Sequence, residues 1–206
     1  MATRGLLDIV LMCDATGSMS TAINNVKTDM KNATEVFIKQ LGTQWDVNVG
    51  VAWYRDVGDG SHDIYDNACP LTADTALIER RVQAITATGG GDTPEAQIFA
   101  LYNCAFQEFI TGWRQGSERY IAWFGDQYGH DPVGFQGQQI NSQQCIDMLK
   151  QKGIKVIAFS MAPTNNLEGP NKQATKITSA TGGSVKYNVA QDGVVRFIYD
   201  VIQGNL

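Results

Sequence analysis

The sequence contains no run near the ~20 apolar residues that a membrane-spanning helix requires, so no span is expected. No long apolar stretch precedes a cleavage site near the N-terminus either. Met1 to Leu7 leads almost directly into a strand-like segment, so a secretion signal is not expected, which leaves location open with a slight lean to the cytoplasm. Cysteine is scarce: Cys13, Cys69, Cys104 and Cys145 are widely spaced and form no Cys-x-x-Cys pair, which argues against a zinc site. Cys13 falls in an apolar strand pattern and Cys104 and Cys145 in helical patterns, so buried free thiols are expected. The two histidines, His62 and His130, lie far apart, a poor basis for a zinc pair or a catalytic triad, and His130 reads as a surface loop residue. Basic residues are outnumbered 16 to 21 by acidic ones, and the net charge of −5 argues against a nucleic-acid backbone as partner. Cationic and metal-bridged partners stay open.

Several catalytic signatures are also missing. No Gly-x-Gly-x-x-Gly follows the first strand, and no Gly-x-x-x-x-Gly-Lys occurs, so neither a dinucleotide site nor a phosphate-binding loop is expected. Haloacid-dehalogenase-like phosphatases place Asp-x-Asp after a first strand, the second carboxylate serving as acid and base. Here Thr16 stands where that second carboxylate would be, so no enzyme activity is expected.

What is present reads as one globular α/β domain spanning 1–206, with 43% apolar residues and no linker-like division. Leu6 to Cys13 is a nearly unbroken apolar run, the pattern of a parallel strand covered on both faces. Ile23, Val26, Met30, Ala33, Phe37 and Leu41 recur at helical spacing up to Gly42. A strand is expected from Val47 to Tyr54, an edge strand from His62 to Ala68, and a helix from Ala73 to Ile85. A helix beginning near Pro94 is expected to run through Ile98, Leu101, Ala105 and Phe109. Then follow a strand from Arg119 to Phe124, a helix from Gln138 to Gln151, a strand from Ile154 to Phe159, a helix from Asn171 to Ala180, a strand from Ser184 to Tyr187, and a last helix lined by Val194, Val195, Ile198, Val201 and Ile202. Strands alternating with helices predict a mostly parallel sheet with helices on both faces.

Three polar loops fall at the carboxyl ends of strands or the starts of helices, where open α/β sheets bind ligands. The first holds Asp14, Thr16 and Ser18; the second Asp92, Thr93 and Glu95; the third Asp126, with Gln127 and His130 nearby. Oxygen-bearing side chains at alternate positions point the same way in an extended backbone and can converge on one hard cation. Thr93 and Asp126 could complete such a set. Each residue also has a plainer reading: Ser18 or Ser20 as the cap of the first long helix, Thr93 as the cap of a later one, the aspartates as solvated turn residues, and the glycines at 89–91 as a flexible turn.

These loops resemble the three motifs of the metal-ion-dependent adhesion site of the von Willebrand factor A (VWA) domain family. Asp14-Ala15-Thr16-Gly17-Ser18 is similar to its Asp-x-Ser-x-Ser motif, Gly89-Gly90-Gly91-Asp92-Thr93-Pro94-Glu95 to a Gly-Gly-Gly-Asp-x-Pro-Glu subset, and Phe124-Gly125-Asp126 to the third motif. Tyr54-Arg55-Asp56, Cys69-Pro70-Leu71-Thr72 and Ala180-Thr181-Gly182-Gly183-Ser184 carry the likeness across the chain. The resemblance implies a Rossmann-like three-layer αβα sandwich whose sheet has six strands, one of them a short antiparallel edge strand. It implies Mg²⁺, or Mn²⁺ or Ca²⁺, bound directly by the hydroxyls of Thr16, Ser18 and Thr93, and often through water by Asp14 and Asp126. Asp92 and Glu95 would stand behind them. A partner protein's Asp or Glu carboxylate would complete the metal's shell. Two other roles stay open: a metal-assisted glycan binder using Trp53, Tyr54, Tyr128 and Phe135 on the same rim, and an assembly subunit whose metal only stabilises it.

Overall fold

Residues 7–14 are buried without a break, as a strand covered on both faces must be. In the computed structural model, which describes residues 4–57, 64–90, 93–161, 165–187 and 193–204, this strand is β1 (Gly5–Asp14). It lies centrally in a six-stranded sheet with β2 (Trp45–Tyr54), β3 (Tyr65–Thr72), β4 (Glu118–Gly125), β7 (Ile154–Ser160) and β8 (Ser184–Tyr187), in the order β3-β2-β1-β4-β7-β8. Every neighbouring pair is parallel except β2–β3, which is antiparallel at the edge. A separate two-stranded hairpin joins β5 (Val133–Phe135) to β6 (Gln138–Ile140).

Alternate side chains of β1 divide the interior in two. Leu7, Ile9, Leu11 and Cys13 face a core shared with α1 (Ile23–Gln40), α2 (Thr75–Ala84) and α7 (Gly193–Ile202). Val10 and Met12 face the other core, shared with α3 (Gln97–Phe106), α5 (Ser142–Gln151) and α6 (Gln173–Thr181). Helices therefore cover both faces of the sheet. A short α4 (Glu108–Thr111) brings the α-helices to seven among the described residues. None of the described helices is long and apolar enough to cross a membrane. The four cysteines are buried and free, and burial pushes the Cys104 thiol up to about 12 and those of Cys13 and Cys145 well above their usual value.

Several element boundaries differ from the sequence pattern, three of them for a clear physical reason. The edge strand continues to Thr72, because β2 pairs with it back to Val49; His62 lies outside the described residues. The helix expected to reach Phe109 breaks at Gln107 (φ −85°, ψ 54°). There the Cys104 carbonyl accepts from Thr111 Oγ1 at 3.0 Å and Trp113 Nε1 at 2.9 Å, which turns the chain out of the helix. The helix expected from Gln138 starts at Ser142 instead. Asn141 caps it with a reciprocal Gln144 bond, while the preceding residues pair in the β5–β6 hairpin.

Candidate metal centre

The strand order reverses direction between β1 and β4, since the chain builds outward from β1 to β2 and β3 and then from β4 to β7 and β8. Such a switch point opens a crevice at the carboxyl ends of the two strands. Cys13 pairs with Phe124, so Asp14 and Asp126 emerge side by side at that crevice. Both are fully buried, as is Thr16, whereas Ser18 is exposed at the mouth.

The four residues are linked. Asp14 Oδ1 accepts from the Thr16 backbone N–H at 2.8 Å and from Thr16 Oγ1 at 2.6 Å. Thr16 Oγ1 and Ser18 Oγ are 3.1 Å apart, and Ser18 Oγ donates to Asp126 Oδ1 at 3.1 Å. Asp14 Oδ2 is buried and accepts no hydrogen bond. Burial pushes the Asp14 carboxyl up to about 7, opposed by the Thr16 hydrogen bonds and the nearby Tyr54 hydroxyl and reinforced by the charge of Asp126. A buried, unpaired carboxylate oxygen beside a second acid is costly unless a cation is near. The donors are all hard oxygens, the set that Mg²⁺, Mn²⁺ and Ca²⁺ take, so these residues fit such an ion. No group of three or more His, Cys, Asp or Glu side chains suited to a metal occurs among the described residues, so any ion here must rely on the hydroxyls as well.

Of the second loop, Gly91 lies outside the described residues, and Thr88 and Gly89 pair with the first loop. Gly17 N–H donates to Gly89 O at 2.6 Å, and Thr88 N–H to Ala15 O at 2.9 Å. Gly90 has φ +74°, and a Cβ there would lie 2.8 Å from Thr16 Cβ, so only glycine lets the second loop press on Thr16. Thr93 is exposed, and no hydrogen bond among the described residues joins it to the other four. Asp92 lies outside the described residues. The capping expectations fail: α1 begins after Ala22 and α3 after Ala96, neither with a side-chain cap. The hydroxyls of Ser18 and Thr93 are thus not taken up by helix ends.

Behind the site stands Tyr54, which the sequence offers as a sugar-stacking aromatic and as part of a flanking motif, while its partner Trp123 carries no such signal. The buried Tyr54 hydroxyl accepts from Trp123 Nε1 at 2.8 Å, and Asp14, Glu95 and Asp126 are close enough for their charges to raise its pKa, after burial itself. Glu95 is buried beside them. His130 is not a free surface residue: its Nε2 lies 3.0 Å from Oδ1 of the buried Asp56. The four aromatics of the glycan reading are engaged in packing. Tyr54 is buried, Arg55 covers Trp53 at 4.3 Å, Phe135 meets Phe99 edge-on at 5.5 Å, and Tyr128 packs on Gly169.

No protein-family model matches the chain. A putative ariadne-like RING finger protein, R811, of Acanthamoeba polyphaga mimivirus is 26% identical over 109 residues, half of this chain and 10% of that protein. Among solved structures, the pilus adhesin SpaC from Lactobacillus rhamnosus GG matches 98% of this chain with a TM-score of 0.67 at 15% identity. The same adhesin in its open conformation matches with a TM-score of 0.63 at 16% identity. The chain spans about a third of the adhesin's length, with 31% covered. At such identity the likeness is one of fold.

Proposed function

We propose that the chain is a VWA-type domain with a Rossmann-like sheet that binds one divalent cation, Mg²⁺ in the first place, and uses it to hold a carboxylate of a partner protein. The observation that carries this reading is the buried, unpaired Asp14 Oδ2 beside Asp126, with Thr16 and Ser18 hydroxyls between the two acids. Asp14 and Asp126 supply the negative charge that attracts a cation into the crevice. Asp14 also fixes the Thr16 hydroxyl by accepting from it. Ser18, exposed at the mouth, supplies an oxygen at the side a partner would approach. Thr93 would join from the second loop, and Glu95 would add charge from behind. A bound divalent cation there would supply an electrophilic point for an incoming carboxylate.

Thr16 stands where an Asp-x-Asp phosphatase would need its second carboxylate, which favours a binding module over that class of catalyst. The fold shared with a pilus adhesin is in keeping with adhesion or interaction as the role. Calorimetric titration with Mg²⁺ tests the reading. A single site is expected in the wild type, lost in Asp126→Ala while the circular dichroism stays unchanged. A wild type that takes up no divalent cation overturns it.

A further inference from the structure

From the last residue of β4 into the loop carrying Asp126, where only isolated β-bridges form, the backbone acceptors are satisfied one after another. Five consecutive carbonyls accept bonds: Gly125 from Met161 N, Asp126 from Asn166 N, Gln127 from Gln97 Nε2, Tyr128 from Glu95 N, and Gly129 from Gln173 Nε2. Two of the five donors are glutamine side chains. Gln97 opens α3 and Gln173 opens α6, and both are buried. Gln173 grips Gly129 in two places, Oε1 accepting its N–H at 2.8 Å and Nε2 donating to its carbonyl at 3.0 Å. Gln97 Nε2 ties the pair together, donating to Gln173 Oε1 and to Gln127 O, each at 3.0 Å. Gly129 lies flat against the Gln97 carboxamide; a Cβ there would fall 2.6 Å from Gln97 Cδ. Glu95, on the segment that follows Thr93, is zipped to the same loop through Tyr128 O at 3.0 Å and its own carbonyl to His130 N at 2.8 Å.

We infer that Gln97 and Gln173 form a carboxamide clamp that fixes the Asp126 loop against the Thr93–Glu95 segment, and that this rigidity makes the site select Mg²⁺ over Ca²⁺. The inference rests on the metal-binding reading above. The physical reason is the difference between the two ions. Mg²⁺ demands near-octahedral oxygens at ~2.0–2.1 Å, whereas Ca²⁺ accepts looser shells at ~2.3–2.6 Å. A loop whose backbone cannot shift holds the smaller ion's spacing; a loosened loop relaxes toward the larger one. Neither glutamine touches the metal site itself, so both are positioning residues, and partners of this kind are worth roughly 10–100-fold in metal affinity.

The test is titration of the folded protein with Mg²⁺ and, separately, Ca²⁺, in the wild type, Gln97→Met and Gln173→Met. Methionine keeps the length and removes the carboxamide. Gly129→Ala, which forces the clamp open from the loop side, serves if a methionine variant fails to fold. Amide exchange at Gly129, whose N–H donates to Gln173, reports whether the clamp has opened. The expected result is faster exchange at Gly129, Mg²⁺ affinity lower by about tenfold or more, and Ca²⁺ affinity nearly kept, so that the ratio shifts toward Ca²⁺. A purely structural role would lower the melting temperature and leave the ratio alone. An unchanged ratio, whether both affinities hold or fall together, overturns the clamp alone. A wild type that binds neither ion overturns the metal reading, and the clamp's role with it.

Discussion

The Thr16 hydroxyl donates to Asp14 Oδ1 at 2.6 Å, while Oδ2 of the same carboxylate is buried and accepts nothing. One half of Asp14 is therefore satisfied within its own loop, and the other half is buried beside the Tyr54 hydroxyl without a hydrogen bond. A carboxylate serving only as a turn residue would have solvent or backbone on both oxygens. The arrangement instead concentrates acidic oxygens at the end of the central strand, four residues before the exposed hydroxyl of Ser18.

Thr16→Val keeps the branched shape and removes the oxygen. Calorimetry is expected to show Mg²⁺ affinity reduced by about tenfold or more, with the metal-free stability lower by about 1 kcal/mol for the lost hydrogen bond. Unchanged Mg²⁺ affinity would remove Thr16 from the site.

Asp29 on α1 gives a pH dependence that is independent of the site. It is 2% exposed, its Oδ1 has no partner, and burial pushes its carboxyl up to about 7. The neutral form is favoured in the fold, so its contribution is fully present below the unfolded value of ~3.8 and is lost as pH rises through about 7. Asp29→Asn is thus expected to stabilise the protein at pH 8, by something on the order of 1–2 kcal/mol, and to make no comparable gain at pH 4. Urea unfolding at the two values decides it; equal effects at both would mean that the charge is not the cause.

Tyr54→Phe removes the acceptor of Trp123 Nε1 and leaves that indole N–H buried and unpaired. Chemical denaturation is expected to show a loss of about 1–3 kcal/mol. Mg²⁺ binding is expected to weaken as well, because the same hydroxyl sits among Asp14, Glu95 and Asp126. A variant as stable as the wild type would show that the buried N–H finds another acceptor.

The parts legible in the sequence are those in which one segment carries its own evidence. β1 could be read because burial on both faces makes every residue from Leu7 to Cys13 apolar or, once, Asp8, which Arg114 and Ser117 hold. That Asp14, Thr16, Ser18 and Asp126 come together could be read because each ends a strand or follows one by a few residues. The hairpin before α5 was hidden, since Gln138 to Ile140 looks like a polar helical turn. Its only signal is Gln136-Gly137, both at positive φ, of which the glycine alone is conspicuous in sequence. The break at Gln107 involves neither glycine nor proline and depends on side chains reaching back from Thr111 and Trp113. Gln97 and Gln173 were invisible for a different reason: their bond spans 76 positions, and a glutamine opening a helix carries no local mark of what it will hold. Thr93 runs the other way, conspicuous in sequence and exposed in the fold without a bond to the other four.

The most direct test is a crystal structure grown with Mn²⁺, read by anomalous scattering. One peak is expected in the crevice between β1 and β4, bounded by Thr16 Oγ1, Ser18 Oγ and the carboxylates of Asp14 and Asp126. A crevice with no peak at saturating Mn²⁺, the Thr16–Asp14 and Ser18–Asp126 hydrogen bonds intact, would contradict it.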